Sequence, residues 1–407
     1  MHKTHPVRKI LGGLAVAVVL LILAECGARI LISIQADLVP VPDLQSPSGV
    51  QLSPERGWEA KPGYQGFTFR SRRRYDHRGL LAIDGKQLDE GATNRILIIG
   101  DSNSFAFRTL NKDGYPEQLD RLLPSHAVIN LAFPGYSSLQ GLQTLQLWAE
   151  QLNPSIIIAS FNFNDRRYVL EPGAQDSLAN FKATAARPTQ PHPLTRLALF
   201  KILKYAATKT GLITYEDKDA PYDLGTFIAR VPPDAYRANL QNIADLARER
   251  GARLIFVVLN DNPDMVGKIR IAAGLIENGD AASATKILTA VMDESATYAT
   301  LARKFLSRAY EQMNETGKAE DARQMDAVHE AYDGGWPLHL DVVYNEIMRE
   351  VAADRSVEIS EAGRILNDAD NVYFDFCHFN EHGHGLVAQQ LAAIIRGTNA
   401  STDQAAP

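Results

Sequence analysis

Apolar positions in this 407-residue chain fall into two kinds of run. The first, 10–24 (ILGGLAVAVVLLILA), carries no charge, and apolar character resumes at 30–34 after Glu25 and Arg29. A bilayer core needs about 20 apolar residues, and Glu25 and Arg29, four apart on one helical face, can pair and reach the interface. The pattern predicts a single spanning helix within 1–35. His2, Lys3, Arg8 and Lys9 precede it and only Arg29 follows closely. That bias predicts a short cytoplasmic N-terminus and an exported remainder. A cleaved signal peptide and a lipoprotein signal ending at Cys26 are the competing readings. Glu25 stands where a lipidated cysteine wants a small residue, and no small-x-small site follows, which favours an uncleaved anchor.

The second kind is short, uninterrupted and followed by a loop and a helical period: 96–99, 127–131, 156–159, 254–259 and a weaker 357–359. Runs apolar on both faces that alternate with helices (115–123, 138–151, 234–250, 340–353, 381–395) predict a parallel sheet in a three-layer α/β domain. Residues 36–90 show no strong period and read as a stalk entering that domain. Its basic cluster Arg70, Arg72, Arg73 and Arg74 reads first as a solvated face, second as a contact for an anionic lipid or polysaccharide. Between 260 and 336 the pattern turns wholly helical, and Gly279 and Gly317 are each followed five residues later by Ala284 and Ala322. This weak repeat resembles tetratricopeptide units, with an offset of 38 in place of 34, and predicts a helical insertion, with or without a protein partner.

Composition narrows the classes. With 45% apolar residues the chain can build a large core, and a formal charge of −6 gives no overall positive field for nucleic-acid phosphates. The two cysteines, Cys26 and Cys377, exclude a disulfide framework and a Cys-based zinc site.

The chemistry-bearing residues stand at strand ends, where an open α/β sheet places its site. Gly100-Asp101-Ser102 closes the first strand with a hydroxyl at a sharp turn. A serine alcohol needs a base, and the base a carboxylate to fix its tautomer. Asp375 and His378, before the last helix, supply that pair. Asn130 to Gly135 close the second strand and Asn162 to Asp165 the third, where the Gly135 N–H and Asn164 amide are donor types an oxyanion hole requires.

On these blocks the sequence resembles the SGNH (GDSL-type) hydrolase superfamily, over about 90–262 and 337–396. The resemblance implies a flavodoxin-like sandwich with a five-stranded parallel sheet in the order 2-1-3-4-5. It implies Ser102 as nucleophile, His378 as base, Asp375 as its orienter, and Ser102 N–H, Gly135 N–H and the Asn164 amide as oxyanion donors. The third block usually begins with Gly where this chain has Asn162, whose side chain is expected to shape the loop or the acyl pocket. Asn380, Gly383 and His384 look like the family's lead into its final helix, and Asp76-His77-Arg78-Gly79 like the lead segment of membrane-anchored bacterial members.

The division expected is an anchor 1–35, stalk and lead-in 36–90, hydrolase 91–262, a tetratricopeptide-like insertion 263–336, hydrolase 337–397 and a disordered tail 398–407. The expected function is a membrane-tethered serine esterase or acyltransferase on the periplasmic side of a bacterial inner membrane, acting on O-acyl groups of a glycan, without cofactor or metal. The alternative is an envelope assembly scaffold with a vestigial serine site. Asp375, Cys377, His378, His382 and His384 also admit a metal reading, but no second carboxylate is fixed nearby. Cys377 is expected to be an inert thiol, His192 a loop residue, and Asp101 a shaper of its turn.

Overall fold

The structure is a computed structural model and describes residues 6–34, 49–69, 71–81, 94–107, 109–167, 169, 173–186, 194, 197–209, 229–294, 296–322, 340–375 and 377–397. The expectations for Arg70, His192, the segment 36–48, the end of the insertion and the tail 398–407 lie outside these.

The centre is a five-stranded parallel sheet of β5 (Arg95–Gly100), β6 (Ala127–Asn130), β7 (Ile156–Ser160), β8 (Arg253–Val257) and β9 (Glu358–Ser360). Their spatial order is β6-β5-β7-β8-β9, the 2-1-3-4-5 order implied by the resemblance. The strands read as unbroken apolar runs because both faces are covered. Leu97, Ile99, Ile157, Ala159, Leu254 and Phe256 pack against α3 (Ser138–Leu152), α6 (Pro233–Glu249) and α10 (Leu340–Arg355). Their neighbours Ile96, Ile98, Ile156, Ile158, Ile255 and Val257 pack against α2 (Tyr115–Leu122), α11 (Ala362–Asn367) and α12 (Glu381–Arg396).

α1 (Pro6–Ile34) contains the stretch Leu11–Leu31, 21 residues long and apolar enough to cross a membrane. Most of its described large apolar side chains are exposed.

The described part of the segment read as a stalk is folded. β1 (Val50–Ser53) pairs with β2 (Gly57–Ala60), and β3 (Gln65–Thr68) with β4 (Ser71–Arg74), as two antiparallel hairpins. Val50, Tyr75 and Leu81 share a core with Phe105, Phe133 and Tyr136 from the loops that follow β5 and β6. The hairpins therefore sit over the carboxyl ends of the strands. Asp76 orders the turn that follows, its Oδ1 accepting from the N–H groups of Arg78 (2.8 Å) and Leu80 (2.9 Å).

The insertion contains α7 (Pro263–Glu277), α8 (Ala281–Glu294) and α9 (Ala296–Gln312), which bury Ile269, Ala284, Leu288 and Ala302 among themselves in a core separate from the sheet's. Gly279 (φ +83°) makes the left-handed turn between α7 and α8. The second turn falls to Asn314 (φ +57°), whereas Gly317 lies within the next helical stretch.

Candidate active site

Gly100 ends β5 where a Cβ would lie 2.3 Å from Ser104 Oγ, so only glycine admits the tight return of the chain. That return presents Ser102 at the strand's carboxyl end. His378 Nε2 lies 2.9 Å from Ser102 Oγ, and His378 Nδ1 lies 3.0 Å from each carboxylate oxygen of Asp375. Asp375 Oδ1 also accepts from the N–H groups of Cys377 (3.1 Å) and His378 (2.9 Å). Burial pushes the Asp375 carboxyl up, but the His378 hydrogen bond and charge and these N–H groups outweigh it, holding the carboxyl well below its usual range. An ionised Asp375 fixes the Nδ1–H tautomer and leaves Nε2 free to take the serine proton. The Phe107 ring lies 4.9 Å from the imidazole ring and its N–H donates to Ser102 O at 2.9 Å, so one loop touches both nucleophile and base.

The oxyanion candidates are Ser102, Gly135 and Asn164. Gly135 adopts φ +80°, and a Cβ there would press on the Trp58 ring at 3.1 Å. Among the described residues, neither the Ser102 nor the Gly135 N–H donates to a backbone carbonyl. Asn164 is buried, with Nδ2 3.1 Å from Tyr136 O and 3.5 Å from Asp101 Oδ2. Its amide is thus held between the second block and the residue beside the nucleophile.

Asp101 shapes the turn as expected, its Oδ1 accepting from Asn103 N at 2.9 Å. Burial raises its carboxyl to about 6 against that bond and the charges of His378 and Arg166. Asn162 takes the first of its two expected parts, holding the loop. Its Nδ2 donates to Asn345 Oδ1 at 2.7 Å, and Asn345 Nδ2 bonds Leu259 O and Asn260 Oδ1, so Asn162 ties the end of β7 to α10.

The residues of the metal reading separate. His382 is exposed, and His384 is buried beside Tyr115 and Phe379, its imidazole lowered to about 3 by burial and by the charges of His378 and Arg73. Asp375, Cys377 and His378 do bring donor atoms within 4.8 Å of one another. Both imidazole nitrogens already face triad partners, and burial holds the Cys377 thiol protonated, so the trio fits the triad and not a cation.

Several site residues escaped the sequence reading. Arg73 is 2% exposed rather than solvated and reaches the loop carrying Ser102. Its signal is the two-residue period of β4, which puts Ser71, Arg73 and Tyr75 on one face. Arg230 donates to Gly135 O and Gln140 Oε1, each at 2.6 Å, and to Asp176 Oδ1 at 2.8 Å, clamping the second block. Asp165 accepts from Ser138 N at 2.8 Å at the start of α3. No motif or period marks Arg230; Asp165 closes the third block, and only its bond to Ser138 lay beyond the sequence.

No family profile and no curated protein matches the chain. Among solved structures, the chain is similar to TesA at 12% identity, over 75% of this chain and 99% of that one, with a TM-score of 0.36. It is similar to a lipase/acylhydrolase from Enterococcus faecalis at 12% identity, over 75% and 96%, TM-score 0.38. It is also similar to the acetyl xylan esterase AlAXEase at 10% identity, over 74% and 99%, TM-score 0.37. With likeness this distant, the chemistry must be read from the residues themselves.

Proposed function

We propose that the chain is a membrane-anchored serine hydrolase of the SGNH type, cleaving or transferring O-acyl groups of a glycan on the outer side of a bacterial cytoplasmic membrane. The observation that carries the chemistry is the aligned relay from Ser102 Oγ through His378 to Asp375. Ser102 Oγ attacks an ester carbonyl while His378 Nε2 takes its proton. The N–H groups of Ser102 and Gly135 and the Asn164 amide face the oxyanion, and His378 returns the proton to the departing alkoxide. Water, or an acceptor hydroxyl deprotonated by His378, then releases the acyl group from Ser102. The anchor, the basic residues before it and the resemblance support the glycan and the outer side. A scaffold with a decayed site would have no reason to keep all three relay groups in register.

A fluorophosphonate should label the detergent-solubilised protein at Ser102, with no labelling in Ser102→Ala. Absence of labelling in the folded wild type would overturn the enzyme reading. Protease added to spheroplasts should digest everything beyond about residue 40, the end expected for an exported domain. A protected domain would overturn the topology.

A further inference from the structure

α5 (Ala198–Lys209) packs against α1. The Glu25 carboxylate accepts the N–H groups of Ala198 (3.0 Å) and Leu199 (2.9 Å) while paired with Arg29 at 2.8 Å. The first turn of α5 adds two N–H donors to the Arg29 pair of a carboxylate that lies inside an apolar run. Glu25 stands six residues before the end of the apolar stretch Leu11–Leu31, so the start of α5 lies about 9 Å along the helix from that end.

Such a depth matches the headgroup and acyl boundary, where interfacial helices bury an apolar face by about 5–10 Å. The composition of α5 matches as well. Leu203 is 58% exposed, Leu197 and Leu194 just before the helix are 40% and 43% exposed, and the charges of the helix are Lys201, Lys204 and Lys209 with no acid. Exposed leucines with lysines alone suit lipid chains below an anionic headgroup layer.

We infer that α5 is a second membrane element, a helix seated in the anionic surface of the outer leaflet, through which α1 leaves the membrane, and pinned there by Glu25. This rests on the membrane-anchored reading of α1. The occupant of the leucine face is phospholipid. The apolar stretch of α1 alone would allow the domain to swing on its anchor, whereas a docked α5 fixes its approach to the surface.

The test uses the full chain in vesicles of phosphatidylethanolamine and phosphatidylglycerol, with Cys26→Ser removing the exposed thiol and Cys377 left buried. Bimane is attached at Leu20→Cys in α1, Leu203→Cys in α5 or Lys286→Cys on α8, and quenched by nitroxide-labelled lipid. Leu20 and Leu203 should be quenched strongly and Lys286 weakly, with the Leu203 signal weakened in pure phosphatidylcholine. Quenching at Leu20 with none at Leu203 overturns the inference and leaves the anchor standing. If Leu203 is shielded from both lipid nitroxide and aqueous iodide, a protein surface covers it and the inference fails. Absence of quenching at Leu20 removes the anchor and α5 docking together.

Discussion

Arg73 donates from Nη2 to the carbonyl oxygen of Ala106 at 2.8 Å, its guanidinium 4.2 Å from the Phe105 ring centroid. Ala106 holds φ +59°, a left-handed conformation that costs a non-glycine residue about 1–3 kcal/mol and persists only where surroundings enforce it. The strained residue lies between Ser102 and Phe107, so β4 braces the loop that carries the nucleophile and packs on the base. Burial disfavours the charged guanidinium, and Glu117, also buried, opposes that with its charge.

Arg73→Met keeps the apolar stem and removes the donor. Relaxation of Ala106 should displace Ser102 from His378 and lower kcat about 10²-fold with little change in KM. Arg73→Lys should restore part of it. Steady-state kinetics on a p-nitrophenyl ester, beside unfolding midpoints of both variants, check this. A folded Arg73→Met with wild-type kcat would leave Arg73 a core residue and nothing more.

Asn164 and Asn162 stand one residue apart and face different partners. On the proposed oxyanion role, Asn164→Ala removes a donor to charge that forms only in the transition state, so kcat should fall about 10²- to 10³-fold with KM nearly unchanged. Asn162→Ala breaks the bond to Asn345 and should cost about 1–3 kcal/mol of stability while leaving acetyl-against-butyryl preference as it was. A shift in acyl preference in Asn162→Ala would return that side chain to the pocket.

The contrast between these two asparagines shows what a sequence can and cannot carry here. Ser102, Asn164, Asp375 and His378 were legible because each ends a strand or precedes a helix at a spacing its chemistry dictates. The role of Asn162 depends on Asn345, 183 positions away, and no local pattern couples them. Arg73 was obscured by its neighbours, since a run of arginines reads as a solvated face until the pleat sorts them into buried and exposed. The parallel sheet was accessible because apolar strands repeat between helices, whereas its order followed only from the resemblance. The hairpins of β1 to β4 were not, because short strands shielded on one face by loops leave little period.

Asp165 gives a pH signature. Burial raises its carboxyl to about 7 from an ordinary value near 3.8, against the Ser138 bonds and the Arg230 charge. Between those values the folded protein holds a proton that the unfolded chain has released, so this group's contribution to stability falls as pH rises through the window. Asp165→Asn keeps an oxygen for Ser138 and removes the titration. Its stability relative to wild type should therefore increase from about pH 4.5 to about pH 7.5 in urea unfolding, with Asp101 and His384 common to both proteins. Parallel curves would show that Asp165 titrates normally.

Cys377 lies 3.7 Å from His378 Nδ1, yet burial holds its thiol well above the ordinary range. Cys377→Ala should retain most activity, and neither iodoacetamide nor EDTA should inactivate the wild type. Inactivation by EDTA that zinc reverses would restore a metal role for Asp375, Cys377 and His378.

The helical insertion meets the triad at Asn262, which caps α7 by accepting from Asp264 N at 3.1 Å and donates from Nδ2 to Asp375 O at 3.1 Å. The buried cores of α7 to α9 and of the sheet share no residue, so removing the helices should leave the α/β core closed. The Asn262 bond, in contrast, bears on the loop that aims Asp375. Two outcomes should therefore diverge. Replacing α7 to α9 by a short linker that retains Asn262 should preserve cooperative unfolding and most esterase activity. Asn262→Ala in the full chain frees one carbonyl of the triad loop and should lower kcat more than it lowers the unfolding midpoint. Circular dichroism melts and kinetics on both proteins decide the matter: a truncated chain that no longer unfolds cooperatively would make these helices part of the hydrolase core.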